Sequence, residues 1–326
     1  MNSAAAGFQA DASGTTPKQQ DNIPTLRLND GNVIPLLGYG LGTARSKRGN
    51  NKDELDEDLV NIILTAIKAG YYHLDCAESY GTEPELGAAI ARSGIPRSQL
   101  FITTKTSCRP GESIETAFSR SLAKLKLDYV DLYLIHSPFW AASPEELQQK
   151  WAEVEALKDD GRAKSIGVSN YLREHLETTL KTARHKPAIN QIEYHPYLQH
   201  LETGVKNAEG VDEGLLAFHR AHDIAVEAYS PLTAVTKAAP GPVDEVYART
   251  AKKYGVTPGE VALRWVLDQG VVAITTSASE QRLQEWKRRV PLFKLTPREV
   301  DEIAEKGREK HFRGFWLGKF EEGDRR

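Results

Sequence analysis

The sequence predicts a (β/α)8 barrel, and three observations lead there. Short apolar runs alternate with amphipathic helical stretches over nearly the whole chain. The runs can be counted from LLGYG (36–40) to VVAITTS (271–277), and there are eight. The length of 326 residues suits one closed barrel, which takes roughly 250 residues plus insertions,. Strands separated by helical crossovers form parallel sheet, and eight such units favour closure over a doubly wound open sheet.

Residues 1–22, rich in Ala, Ser, Gly, Thr and Gln, read as a disordered leader before a single folded unit over 23–326,. TLRLNDGNVIP follows, and its Asn29-Asp30-Gly31-Asn32 cluster between apolar stretches predicts a β-hairpin,. Strands are then expected at 36–40, 71–75, 100–105, 129–136, 163–169, 188–195, 224–230 and 271–277,. Helical apolar spacing marks 56–70, 83–94, 111–127, 144–161, 171–184 and 211–223 between them,. Two helices, VDEVYARTAKKYG and TPGEVALRWVLDQG, precede the last strand. Two more, SEQRLQEWKRR and TPREVDEIAEKG, follow it, and HFRGFWLGKF adds an aromatic tail.

Composition narrows the function. With 40% hydrophobic and 27% charged residues the chain is an ordinary folded protein,. A net charge of −3 gives no basic excess for nucleic acid or an anionic membrane,. The two cysteines, Cys76 and Cys108, form no CxxC and read as free thiols of a reducing compartment,. No apolar run approaches the roughly 20 residues of a membrane span. The first residues carry neither a charged region nor an apolar core, so the expected location is the cytoplasm,.

Barrel active sites lie at the C-terminal ends of the strands. The second strand ends at Asp75 with Tyr80 in the next loop, the third at Lys105 and the fourth at His136. Each alone is an ordinary cap, packing or surface residue. Together on one rim they point to chemistry, because burying an ammonium and a carboxylate is costly unless they pair. A phenol ionises near pH 10, and an adjacent ammonium is expected to lower that value. The carboxylate keeps the ammonium charged, and the imidazole orients a substrate oxygen. The set suits acid/base work on a small-molecule carbonyl. No HExxH, CxxC or EF-hand spacing suggests a metal, and GxSxG is absent,. GYGLGT (38–43) lacks the third glycine of a dinucleotide-binding fingerprint,.

The stretches GYGLGT, HLDCAESYG (73–81), LFITTK (100–105), DLYLIHSP (131–138), IGVSNY (166–171), INQIEYHPYL (189–198) and AYSPL (228–232) occur in one order. In these the chain resembles the aldo-keto reductase family over about residues 24–320. The resemblance implies a barrel that binds an extended nicotinamide cofactor, with Asp75, Tyr80, Lys105 and His136 as catalytic tetrad. Tyr80 would be the general acid, Lys105 with Asp75 would tune it, and His136 would position the carbonyl. Ser169, Asn170 and Gln191 would bind the carboxamide and Tyr229 would stack on the nicotinamide. Thr43, Asp75, Ser230 and Leu232 would complete that part of the cofactor site. Ser277 and Arg282 would hold the adenosine 2′-phosphate and Glu285 the adenine. Thr276 stands where many members have Lys, and Trp286 where Asn is usual; NADPH remains the expected cofactor. Ala44, Ser107 and Ser137 replace tryptophans of the aldose-type members, which predicts a wider mouth around His136 and Trp140. Trp140, Phe312, Phe315 and Trp316 are expected to pack under the barrel rim, with partial refilling of that mouth as the alternative. The TTS segment and the tail resemble a yeast and fungal branch acting on α-keto amides, diketones and conjugated polyketones such as ketopantoyl lactone. The expectation is a monomeric, cytoplasmic carbonyl reductase without metal, nucleic-acid or membrane partners. The alternatives are an NAD(P)-dependent sugar or alcohol dehydrogenase and a nucleotide-sensing binding module.

Overall fold

The run around Asn29–Asn32 folds as a hairpin of β1 (Thr25–Arg27) and β2 (Val33–Pro35), with Leu26 opposite Ile34 and both buried. Gly31 turns the chain at φ +90°, a backbone conformation that disfavours a side chain,. The computed structural model describes residues 24–42, 45–47, 54–201 and 214–326, so the expected leader lies outside the described residues.

Eight strands then close a parallel barrel: β3 (Leu37–Gly40), β4 (His73–Asp75), β5 (Phe101–Thr106), β6 (Val130–Ile135), β7 (Ala163–Ser169), β8 (Ile189–Glu193), β9 (Ala225–Tyr229) and β10 (Val272–Thr275). Closure runs through β10, where Ile274 sits opposite Gly38 on one side and Tyr229 on the other. The hairpin covers the N-terminal end. Asn29 donates to the carbonyls of Pro187 and Asp223, and Asn32 to that of Lys164, all at the starts of barrel strands. The opposite end is left for the site.

The helices are α1 (Glu57–Lys68), α2 (Glu83–Ser93), α3 (Ile114–Leu125), α4 (Pro144–Asp159), α5 (Arg173–Leu180), α6 (Leu215–His222), α7 (Asp244–Tyr254), α8 (Pro258–Leu267), α9 (Glu280–Arg289) and α10 (Pro297–Arg308). Their starts follow the sequence: Asp56, Ser113 and Ser143 each accept a first-turn N–H, while Thr257 with Glu260 and Thr296 with Glu299 form capping boxes,. α5 is shorter than the expected 171–184. The N–H groups of Arg184 and His185 donate to the buried Glu155 carboxylate (2.6 and 2.7 Å) instead of to helical carbonyls. Of the expected helix 211–223, residues 211–213 lie outside the described residues and the rest is α6.

Inside the barrel, alternation turns a polar set inward beneath the open end. His73, Asp75, Thr103, Lys105, Gln191 and Glu227 are all buried there. Asp75 sits opposite Thr103 and Gln191 opposite Glu227 in the strand register.

Candidate active site

Lys105 comes next to last on β5 and Asp75 ends β4, so both point into the barrel near its C-terminal rim. The Lys105 ammonium is fully buried and donates to both Asp75 oxygens (2.7 and 2.8 Å) and to the carbonyl of Cys76 (2.8 Å). It lies 5.1 Å from the centroid of the Tyr80 ring. Tyr80 ends a single 3-10 turn, Glu78–Tyr80, that follows β4 after Cys76 and Ala77. Gly42 makes room for it: a Cβ there would sit 2.8 Å from Tyr80 Cζ. The Tyr80 hydroxyl is 3.5 Å from Nε2 of His136, the residue after β6, and Ser79 Oγ is 3.2 Å from Nδ1 of the same ring.

A hydrogen-bonded network continues from this group across the floor. Gln191 Nε2 donates to Asp75 Oδ1 (2.9 Å) and to Glu227 Oε2 (2.5 Å). Ser169 Oγ donates to the Gln191 carbonyl (2.9 Å). Asn170, held at φ +60°, donates to the His136 carbonyl and to Ser169 Oγ (both 2.9 Å) and accepts from the Tyr229 hydroxyl (2.8 Å). Asn170 and Ser230 are the residues just past β7 and β9, and both have positive φ, the kind of backbone cost that concentrates at functional sites,.

Burial and charge set the protonation states. Burial alone would pull the Lys105 ammonium down, but Asp75 and Tyr80 push it further up, and the net direction is upward. Burial and the Lys105 charge together push His136 down to about 3, so its imidazole is neutral. Tyr80 corrects the expectation of a lowered phenol. Burial pushes it up and Asp75 adds to that; Lys105 opposes both, and the phenol ends at about 12,. Glu227 is pushed up to about 8 by burial and by Asp75. The rim therefore presents a protonated phenol and a neutral imidazole above a charge-paired lysine. That arrangement can donate a proton to a developing alkoxide.

These groups open into a cavity of about 650 Å³,. Asp75, Tyr80, His136, Ser169, Asn170, Gln191, Tyr229, Ser230 and Leu232 line it. Thr43 and Ala44 lie outside the described residues. Ser277, Arg282 and Glu285 are not in the lining. They stand just beyond Thr276, which is, at the start of α9, where Ser279 caps the helix and Arg282 is exposed. The expected mouth residues Ser107, Ser137 and Trp140 are also outside the lining. The Ser107 N–H is tied to Glu78 Oε1 (2.9 Å), Ser137 is buried, and Trp140 packs on the apolar core. Phe315 and Trp316 follow the alternative and line the cavity, while Phe312 packs on the core. Trp316 meets the His136 ring edge-on (centroids 6.2 Å apart) and Phe315 meets Tyr229 edge-on (5.2 Å). Sequence reading missed Ser79, Thr233, Thr236 and Lys237, which also line the cavity. Their one signal was position, since each lies in a loop that follows a barrel strand.

Residues 37–308 match the model of the Aldo/keto reductase family. The chain belongs to that family. Its similarity to an NAD/NADP-dependent indole-3-acetaldehyde reductase of Schizosaccharomyces pombe is 36% identity, covering 87% of this chain and 96% of that protein. An NADPH-dependent alpha-keto amide reductase of Saccharomyces cerevisiae is 37% identical, over 89% of this chain and 93% of the relative. Among solved structures, an aldo/keto reductase from Brucella melitensis superimposes with a TM-score of 0.72 at 36% identity, covering 87% of this chain and 99% of that one. The aldose reductase of Schistosoma japonicum gives 0.73 at 27% identity, with 90% and 95% covered. As an aldo/keto reductase the chain is an oxidoreductase. Among the described residues, no helix is long and apolar enough to cross a membrane.

Proposed function

We propose that the chain is an NADPH-dependent carbonyl reductase acting on activated ketones and aldehydes: α-keto esters and amides, diketones and conjugated polyketones. The observation that carries this reading is the fully buried Lys105–Asp75 pair beneath Tyr80, with the neutral His136 across from the phenol.

The cavity residues fit a nicotinamide cofactor. Ser169, Asn170 and Gln191 present amide and hydroxyl groups in one strip beside the flat Tyr229 ring, which suits an aromatic carboxamide. The first turn of α9, with Arg282 on it, suits a phosphate, because helix N-termini offer unpaired N–H groups,. NADPH, when bound, supplies the hydride. The protein's own residues supply the proton and the geometry. His136, neutral, donates a hydrogen bond that orients the carbonyl oxygen. Tyr80, protonated, gives that oxygen its proton. Lys105, held charged by Asp75, stabilises the phenolate that remains. The Phe315 and Trp316 wall narrows the mouth and favours flat, conjugated carbonyl groups. The yeast alpha-keto amide reductase, similar over most of both chains, supports the same substrate class.

NADPH consumption by the purified protein tests the reading, measured with an α-keto ester, a cyclic diketone, an aromatic aldehyde and an aldose. Fast loss with the first two and little with the aldose is expected. Preference for the aldose overturns the substrate class. Cofactor binding without turnover of any carbonyl overturns the reductase reading in favour of a nucleotide-sensing module.

A further inference from the structure

The aromatic wall of the cavity stands on a segment with no buried anchor of its own. Residues 311–316 are all only half-buried. Glu193, the last residue of β8, is by contrast buried to 2% exposure. Its carboxylate accepts the Gly314 N–H at both oxygens (2.9 and 3.1 Å) and the Phe315 N–H at Oε2 (3.2 Å). His195 Nε2 lies 3.1 Å from Oε1. A buried carboxylate is costly unless its lone pairs are used, and here two N–H groups of the tail use them. Glu193 also sits opposite Tyr229 in the strand register, so the latch, the Tyr229 ring and the Phe315 ring are neighbours.

We propose that Glu193 is a specificity-determining positioning residue, whose carboxylate latches Gly314 and Phe315 and thereby fixes the Phe315–Trp316 wall over the catalytic group. The inference rests on the reductase reading for its assay. Glu193 touches neither Tyr80 nor His136, so it acts through the wall and not on the proton transfer. Among the described residues one other backbone–backbone hydrogen bond ties this stretch to the rest of the fold, the Phe312 N–H donating to the Tyr197 carbonyl (3.2 Å), and it lies before the wall. Gly314 belongs to the same device. A Cβ there would lie 3.1 Å from Glu193 Oε1 and 3.4 Å from Phe312 Cε1, so a side chain would press on the latch and shift it by a few tenths of an ångström.

Two variants of the full chain test this, Glu193→Gln and Gly314→Ala, the second leaving the buried carboxylate in place. Each is assayed with NADPH on a bulky probe, ethyl benzoylformate, and a small one, methylglyoxal. Hydrogen exchange is followed on the peptide that contains Gly314 and Phe315. Both variants are expected to lose about tenfold in kcat/KM for the bulky probe, mostly through KM. They should stay within about threefold of the parent on the small probe, with faster exchange at the tail. Unchanged discrimination between the probes, in variants whose tail exchanges faster, overturns the latch and leaves Glu193 a structural residue. Unchanged exchange overturns it as well. Absence of turnover in the parent enzyme on both probes is a failure of the reductase reading and is distinguished by that control.

Discussion

At Tyr80 the competition between burial and a neighbouring cation is decided by burial. The phenol rises to about 12 although Lys105 opposes it, so it is protonated at neutral pH, and only a stronger base such as a developing alkoxide takes its proton,. Asp75, Lys105 and His136 were legible in the sequence because each ends or follows an apolar strand run. The direction of the Tyr80 shift was not, since burial is a property of the closed barrel and not of HLDCAESYG. Glu227 was also passed over. In EAYSPL it reads as one charge before a motif, yet it lies inside the barrel, joined to Asp75 through Gln191. Burial and Asp75 raise its pKa from 4.5 to about 8, so between those values the native state binds a proton that the unfolded chain has lost. Stability must fall as pH rises through that window. Glu227→Gln removes the titration. Calorimetric melting across the window should show the variant gaining on the parent as pH rises, with the gap constant above about 8,. A gap that does not change with pH would show that Glu227 is an ordinary carboxylate.

At the level of elements, strands and capped helices were the most readable part. Alternation of apolar runs with helical apolar spacing marked all eight barrel strands and the helices between them. The exceptions share a feature. Beyond α5 the N–H groups of Arg184 and His185 go to Glu155, and the tail meets the cavity where Glu193 takes two of its N–H groups. Both are long-range hydrogen bonds from a buried carboxylate, and no local pattern announces them. The same limit applies to Ser107 and Ser137, read as replacing tryptophans of the mouth, and to Trp140, since a loop position alone does not say which way a side chain faces. α9 offers its own test. Its N-cap is Ser279 and Arg282 is exposed in the first turn, next to Thr276 where the cavity ends. A lone guanidinium over a helix N-terminus favours a 2′-phosphate by charge-assisted hydrogen bonds. Arg282→Ala should weaken NADPH binding about tenfold in fluorescence titration and leave NADH binding nearly unchanged. Equal loss for both cofactors would remove Arg282 from the phosphate site.

At the scale of the molecule, the hairpin covers one end of the barrel and the strand ends arrange chemistry at the other. The interior polar layer of His73, Thr103, Gln191 and Glu227 holds the Lys105–Asp75 pair from below, and the loops after the strands enclose the cavity above. Closure of the sheet is therefore what brings together residues as far apart in sequence as Asp75 and His136. Tyr80→Phe tests the resulting proton-donor role most directly. The substitution keeps the ring that fills the space beside Gly42 and removes only the hydroxyl. Turnover of an α-keto ester should fall at least about a hundredfold while NADPH affinity, by fluorescence titration, stays near that of the parent. Turnover close to the parent's, with cofactor bound, would contradict the role of Tyr80 as the acid.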